Sequence, residues 1–286
     1  NDDTDRKHIL SACFLRKDYW KMATMALEAG GQRPPAGEGA GNEDTGAGSE
    51  SAGASAKVPR VAIVVNDATS MRIEKIARRF GAQVFHAETG EANVVALADS
   101  LRARGWTVRI LGEGSNGGNI TYPARVRDPL ATVSAMLKLL RYKDKATGMD
   151  PFRVWLELSE SPSLYRPDYG LSEVMATLPA WSTTSVFEDR AMFKIKSPDH
   201  AALKAAYRSV FLREWEKRKA TLRERFCIES WRALATNGTS EKDVSPDFAQ
   251  AGKGGLRIVF SGSGGDVAFL WMRGSGTEPV LRIMAD

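Results

Sequence analysis

Trp271-Met272-Arg273-Gly274-Ser275-Gly276-Thr277-Glu278-Pro279-Val280-Leu281-Arg282-Ile283 is a short polar loop between two apolar runs. Phe269-Leu270-Trp271 before it and Val280-Leu281-Arg282-Ile283 after it read as two strands, so a hairpin would carry the loop. Gly274 and Gly276 have no Cβ, which lets the backbone take positive φ and bring its N–H groups close to an anion. Ser275 and Thr277 add hydroxyl donors. Arg273 and Arg282 flank the loop and can grip a dianion with paired N–H groups. Pro279 stiffens the exit and holds Glu278 extended. A plain Gly/Ser β-turn needs neither the arginines nor the hydroxyls. Two of each, with a proline at fixed offsets, favour a phosphate-binding loop.

Arg-Gly-Ser-Gly-Thr-Glu-Pro followed by Leu-Arg-Ile resembles the C-terminal phosphate loop of the α-D-phosphohexomutases, the phosphoglucomutase/phosphomannomutase enzymes. Two further stretches resemble the same family. At the start of the chain, Asn1, Asp3 and Asp5 place side-chain oxygens at alternate positions, where a tight loop can bring them onto one hard cation. The resemblance carries Asp3 and Asp5 onto two Mg²⁺ ligand positions and Arg6 onto the arginine beside the metal. Asn1 stands where the family has Asp and would ligate through its amide oxygen, with one less negative charge. The third stretch is Gly112-Glu113-Gly114-Ser115-Asn116-Gly117-Gly118, which follows a predicted strand at Thr107 to Leu111. Ligand loops sit at such carboxyl ends in α/β sheets. Glu113 can accept two sugar hydroxyls, and Ser115 or Asn116 can add a bond. The stretch resembles the family's sugar-binding loop, with Ser115 and Asn116 both candidates for its second position. Thr89-Gly90-Glu91-Ala92-Asn93 resembles the segment lining the same cleft.

The 286 residues are enough for about two domains with real cores. At 43% hydrophobic and 26% charged, the composition is that of an ordinary soluble protein. No apolar run approaches a membrane span, and no signal peptide opens the chain, so we expect a cytoplasmic protein with no membrane partner. Cys13 and Cys227 match no metal or redox spacing and read as reduced thiols. The net charge of +5 suits a small anionic substrate and is too mild to require nucleic acid. Glutamates 214, 216 and 224 interrupt the basic face of the helix predicted from Ala201 to Phe226, which therefore reads as a solvated helix.

The expected fold is α/β: a phosphohexomutase-like third domain with a mixed α/β sheet, followed by a smaller α+β C-terminal domain. Residues 1–29 would be the end of the second domain, with the metal loop. Residues 30–57, rich in Gly, Ala, Ser and Glu, cannot bury enough surface to offset their ordering and read as a flexible linker. Residues 58–148 would form the sugar-binding third domain, 149–182 a connector, and 183–286 the phosphate-binding fourth domain. Val61 to Val65 reads as a buried strand. Ser70 would cap a helix facing inward through Ile73, Ile76, Ala77 and Phe80, ended by Gly81. A second helix would bury Val94, Leu97, Ala98 and Leu101 and stop at Gly105. Asp128 and Pro129 would start a helix with Leu130, Val133, Leu137 and Leu140 on its inward face. Arg127 reads first as a packing residue. In the long helix, Leu203, Tyr207, Val210 and Phe211 would face inward.

The resemblance implies a phosphoserine enzyme that moves phosphate between C1 and C6 of a hexose through a bisphosphate. Mg²⁺ would neutralise the serine phosphate, and the terminal loop would hold the phosphate that is not reacting. The family carries its serine in a Ser-His-Asn-Pro loop. None of His8, His86 and His200 follows a serine. The opening lacks Met and begins inside a motif, so the chain reads as a fragment that binds hexose phosphate and relies on a missing N-terminal half for catalysis. The alternative is a non-catalytic sugar-phosphate-binding protein; a nucleic-acid-binding module ranks third.

Overall fold

Val61–Asn66 (β1) is buried at every position, the signature of a central parallel strand covered on both faces. In the computed structural model of the protein, which describes residues 60–113, 118–185, 188–196, 199–275 and 279–286, β1 pairs in parallel with Gln83–Ala87 (β2) on one side and Thr107–Glu113 (β3) on the other. Gly118–Thr121 (β4) returns antiparallel to β3, giving a mixed sheet in the order β2-β1-β3-β4. The expected α/β class with a mixed sheet is observed.

Helices cover both faces. Arg72–Arg79 (α1) buries Ile73, Ile76 and Ala77, and Glu91–Ala103 (α2) buries Val94, Leu97, Ala98 and Leu101, as their apolar spacing predicts. Gly81 (φ +66°) and Gly105 (φ +81°) turn the chain back after them. The cap of α1 differs from expectation. Met71 holds the cap position, Ser70 Oγ accepts from Arg72 N at 3.3 Å, and the Asp286 carboxylate takes the Met71 N–H at 2.9 Å.

Pro129–Arg141 (α3) starts as expected: the Asp128 carboxylate accepts from the N–H groups of Leu130 (2.9 Å) and Ala131 (3.2 Å). Its inward face is not the expected one. Leu130 (78%), Val133 (55%) and Leu137 (57%) are exposed, while Ala135 and Leu139 are buried. The helix is apolar on more than one side, so periodicity alone does not choose between its stripes. Asn119 Nδ2 of β4, donating to Thr132 Oγ1 at 3.4 Å, fixes the Thr132–Ala135–Leu139 side against the sheet.

The stretch read as a connector includes Pro151–Leu158 (α4) and Leu171–Ala176 (α5). Phe152, Val154, Trp155 and Leu156 of α4 lie in the same core as Ile63, Ile76 and Phe80.

A second, antiparallel sheet follows in the order β5-β10-β9-β8-β6-β7. Its strands are Met192–Lys194 (β5), Ser230–Asn237 (β6), Ser240–Asp243 (β7), Gly255–Gly262 (β8), Gly265–Gly274 (β9) and Val280–Ala285 (β10). His200–Phe226 (α6) lies against it through Phe211, with Tyr207, Leu212 and Trp215 partly buried. Val210, expected inward, is 42% exposed. Lys204 takes an inward position instead and is fully buried. Its stem can pack only because its ammonium reaches the carbonyls of Gly252 (2.9 Å) and Gly254 (2.5 Å). Among the described residues no helix is long and apolar enough to cross a membrane.

The two sheets meet around Asp67, the residue after β1. Its carboxylate is wholly buried. Oδ1 accepts from Thr89 N (3.1 Å) and Thr89 Oγ1 (2.9 Å); Oδ2 accepts from Trp271 Nε1 (2.8 Å) and from Thr236 Oγ1. Thr236 and Trp271 belong to β6 and β9, so one side chain ties both sheets together. Gly255 of β8 makes room for it, since a Cβ there would strike the carboxylate. Asp67→Ala leaves the buried indole and threonine donors unpaired and should cost about 3 kcal/mol. Urea unfolding measures this, and a loss below about 1 kcal/mol would show that the seam does not depend on Asp67.

Candidate functional site

The three parallel strands each end in or just before an acid: Asp67 after β1, Glu88 after β2 and Glu113 at the end of β3. The carboxyl edge of a parallel sheet is the usual place for ligand groups. Asp67 is consumed by the seam. Glu88 bonds Arg273 of β9, and Glu113 lies within electrostatic range of the same arginine.

Glu113 is 7% exposed. The strand continues through it, so it is held by the β3–β4 hairpin, with Glu113 opposite Gly118, and not by a loop beyond the strand. Ser115 and Asn116 lie outside the described residues. Burial pushes the Glu113 carboxyl above its ordinary value, against the opposing pull of Arg127. The Gly90 backbone and, more weakly, Arg273 pull the same way as Arg127.

Arg127 is more than a packing residue. Its side chain is 48% exposed, with Nε donating to Glu91 Oε2 at 2.9 Å and Nη1 lying 3.7 Å from Glu113 Oε2. Arg127, Glu91 and Gly90 therefore ring the acid that the sequence singles out. The pattern Arg-Asp-Pro drew attention to the helix cap, and nothing local reveals that its arginine reaches Glu113.

In the C-terminal hairpin, Arg273 and Arg282 sit directly opposite each other in the β9–β10 register. Directly paired residues project to the same face of a sheet. The two arginine side chains therefore leave the sheet on the same face. Ser275 N donates to Val280 O at 2.8 Å and closes the loop's neck. Gly276 and Thr277 lie outside the described residues, as do Asn1, Asp3, Asp5 and Arg6. Gly274 belongs to β9, and its φ is not positive. Its missing side chain serves a close approach: a Cβ there would collide with the His200 imidazole at the start of α6. The buried Nδ1 of His200 has no hydrogen-bond partner among the described residues.

Arg273 donates to Glu88 Oε1 from Nε (3.2 Å) and Nη2 (3.0 Å). Glu88 Oε2 accepts the Gly238 N–H at 2.9 Å, and the Glu88 N–H donates to Gly238 O at 2.8 Å. Lys204 is nearby. Burial lowers its ammonium to about 8, with Arg273 adding to the effect and Asp67 and Glu88 opposing it. Sequence reasoning missed Glu88. The signal that found Glu113, an acid at the carboxyl end of a predicted strand, applies to it equally. Among the described residues no group of three or more His, Cys, Asp or Glu side chains is placed to hold a metal ion.

Residues 48–150 match the family model for phosphoglucomutase/phosphomannomutase, alpha/beta/alpha domain III. The matched stretch contains the whole mixed sheet, from β1 to β4. The carboxyl edge of that sheet presents Glu88, just after β2, and Glu113, at the end of β3. Among solved structures, the exocytosis-sensitive phosphoprotein pp63/parafusin (phosphoglucomutase) from Paramecium, in its open form, aligns with a TM-score of 0.40 and 15% identity. The alignment covers 79% of this chain and 32% of that one, so this chain spans about a third of that structure's length. Nothing among curated proteins matches it.

The burial of Glu113 has a consequence for stability. Its folded-state value lies above the ordinary 4.5, so the folded state holds the proton more tightly than the unfolded chain. The stability linked to that proton is full below pH 4.5 and is lost as pH rises through the raised value. Glu113→Gln removes this loss. The melting temperature of the variant relative to the parent should therefore rise between about pH 4 and pH 7. A difference that stays flat with pH would mean that the Glu113 carboxylate carries no burial penalty.

Proposed function

We propose that the chain is the C-terminal part of a phosphoglucomutase/phosphomannomutase and binds the hexose phosphate across the cleft between its two sheets. The observation that carries this reading is the bond between Arg273 of the last hairpin and Glu88, which stands on the same carboxyl edge of the mixed sheet as Glu113. Glu113 accepts hydroxyl hydrogen bonds from the sugar. It is held by the β3–β4 pairing and is almost fully buried, so it meets the sugar with little reorganisation. Arg127 steadies its charge from the solvent side.

Arg273 and Arg282 hold the phosphate that is not reacting, with Ser275 and the loop beyond it completing the grip. A guanidinium suits this task because its paired N–H groups match phosphate oxygens, whereas an ammonium is a point charge. The reaction moves phosphate between C1 and C6 through a phosphoserine and a bisphosphate, with the serine supplied by the N-terminal half of the protein. Mg²⁺, held by Asp3 and Asp5 with Asn1 as a weaker third ligand and Arg6 beside it, would supply charge neutralisation at that serine phosphate. The residues described here bind and orient the sugar phosphate; phosphoryl transfer depends on the serine half. We place the protein in the cytoplasm, with no membrane or nucleic-acid partner.

Calorimetry of this chain with glucose 1-phosphate tests the binding reading. Arg273→Lys keeps the charge but loses the paired donors and should weaken binding by about 1.5 kcal/mol, roughly tenfold. Binding of free glucose should be unchanged. If the variant binds the phosphate ester as tightly as the parent, Arg273 is a strand residue and the phosphate reading fails.

A further inference from the structure

Glu88 sits in a setting built for an anion. Two N–H groups of Arg273 converge on Oε1, the Gly238 N–H is directed at Oε2, and the buried ammonium of Lys204 lies within electrostatic range. The Arg273 and Glu88 side chains are 29% and 18% exposed, so the pair is partly shielded from water. Strong donors aimed at one carboxylate are also the donors that a phosphate oxygen would use.

We propose that Glu88 is a resident anion: its carboxylate fills the Arg273 fork in the ligand-free protein, and the phosphate of the ligand takes its place. The proposal rests on the reading of Arg273 as a phosphate holder and adds a competitor to that site.

The exchange has a clear geometric basis. Oε1 carries both bonds from Arg273, whereas Oε2 carries the bond from Gly238. Withdrawal from Arg273 leaves the backbone anchor in place, because the Glu88 N–H keeps its bond to Gly238 O at 2.8 Å. The carboxylate needs only to swing about its own χ angles, with no movement of β2 or β6. Competition of this kind also sets selectivity. A dianionic phosphate monoester brings more charge to two adjacent arginines than the single charge it displaces. A monoanion brings no more than Glu88 already supplies and should be a poor competitor.

Glu88→Gln separates a competitor from a positioning residue. Gln keeps the size and an acceptor but removes the charge. If Glu88 competes, the variant should bind inorganic phosphate about two- to fivefold more tightly than the parent by calorimetry, the range expected for a partly exposed ion pair. If Glu88 instead orients Arg273 for the ligand, the variant should bind more weakly, and the proposal is overturned. Carboxyl ¹³C NMR of the unmodified chain gives an independent reading that requires no variant to fold. The Glu88 resonance should move with phosphate concentration along the calorimetric binding curve. A Glu88 signal that stays fixed while phosphate binds contradicts displacement even though Arg273 remains a phosphate holder. A parent and a variant that both bind no phosphate overturn the phosphate reading and this proposal together.

Discussion

A carboxylate with no access to water must be surrounded by donors, and Asp67 obtains all of its donors by joining two sheets. Thr89 comes from the mixed sheet's own layer, while Thr236 and Trp271 come from the antiparallel sheet. The cost of burying an unpaired charge makes any arrangement that parts these groups unfavourable. Docking of the two layers is therefore specified by polar geometry, with the apolar cluster of Met71, Val259, Phe269 and Trp271 filling the space beside it. A second, partly buried acid, Asp286, works in the same way. It accepts from Met71 N, Trp181 Nε1 and Thr183 Oγ1, and burial raises its carboxyl above the ordinary range.

The candidate site depends on that docking. Glu113 and Glu88 stand on the carboxyl edge of the mixed sheet; Arg273 and Arg282 stand on the last hairpin of the other. The Asp67 seam, together with Asp286 and the Glu88–Gly238 bonds, holds the two sets facing each other. Opposite charges meet there, in the Arg273–Glu88 pair and in Arg127 beside Glu91 and Glu113.

Much of this was legible in the sequence wherever one face of an element is plainly apolar. The all-apolar run Val61 to Val65 could only be a buried strand, and the spacing of Ile73, Ile76 and Ala77 or of Val94, Leu97 and Leu101 could only be a helix face. The α3 helix defeated the same logic because Leu130, Val133 and Leu137 offer a second stripe as good as the one through Ala135 and Leu139. A polar contact between Asn119 and Thr132 made the choice. Lys204 defeated it because a lysine on a mixed-charge helix reads as solvated until two carbonyls are found at its tip. The pairing of Glu88 with Arg273 spans 185 residues and leaves no local trace. In the sequence Gly274 looks like a source of backbone freedom; in the structure its missing side chain makes room for the His200 ring.

The central claim is that one ligand touches both sheets at once. Titrating the ¹⁵N-labelled chain with glucose 1-phosphate and following its backbone amides tests this most directly. The account predicts that amides at Gly112 and Glu113 and those at Arg273 and Gly274 shift together along one binding curve with one dissociation constant. Shifts confined to one of the two groups, or two curves with different constants, would contradict it.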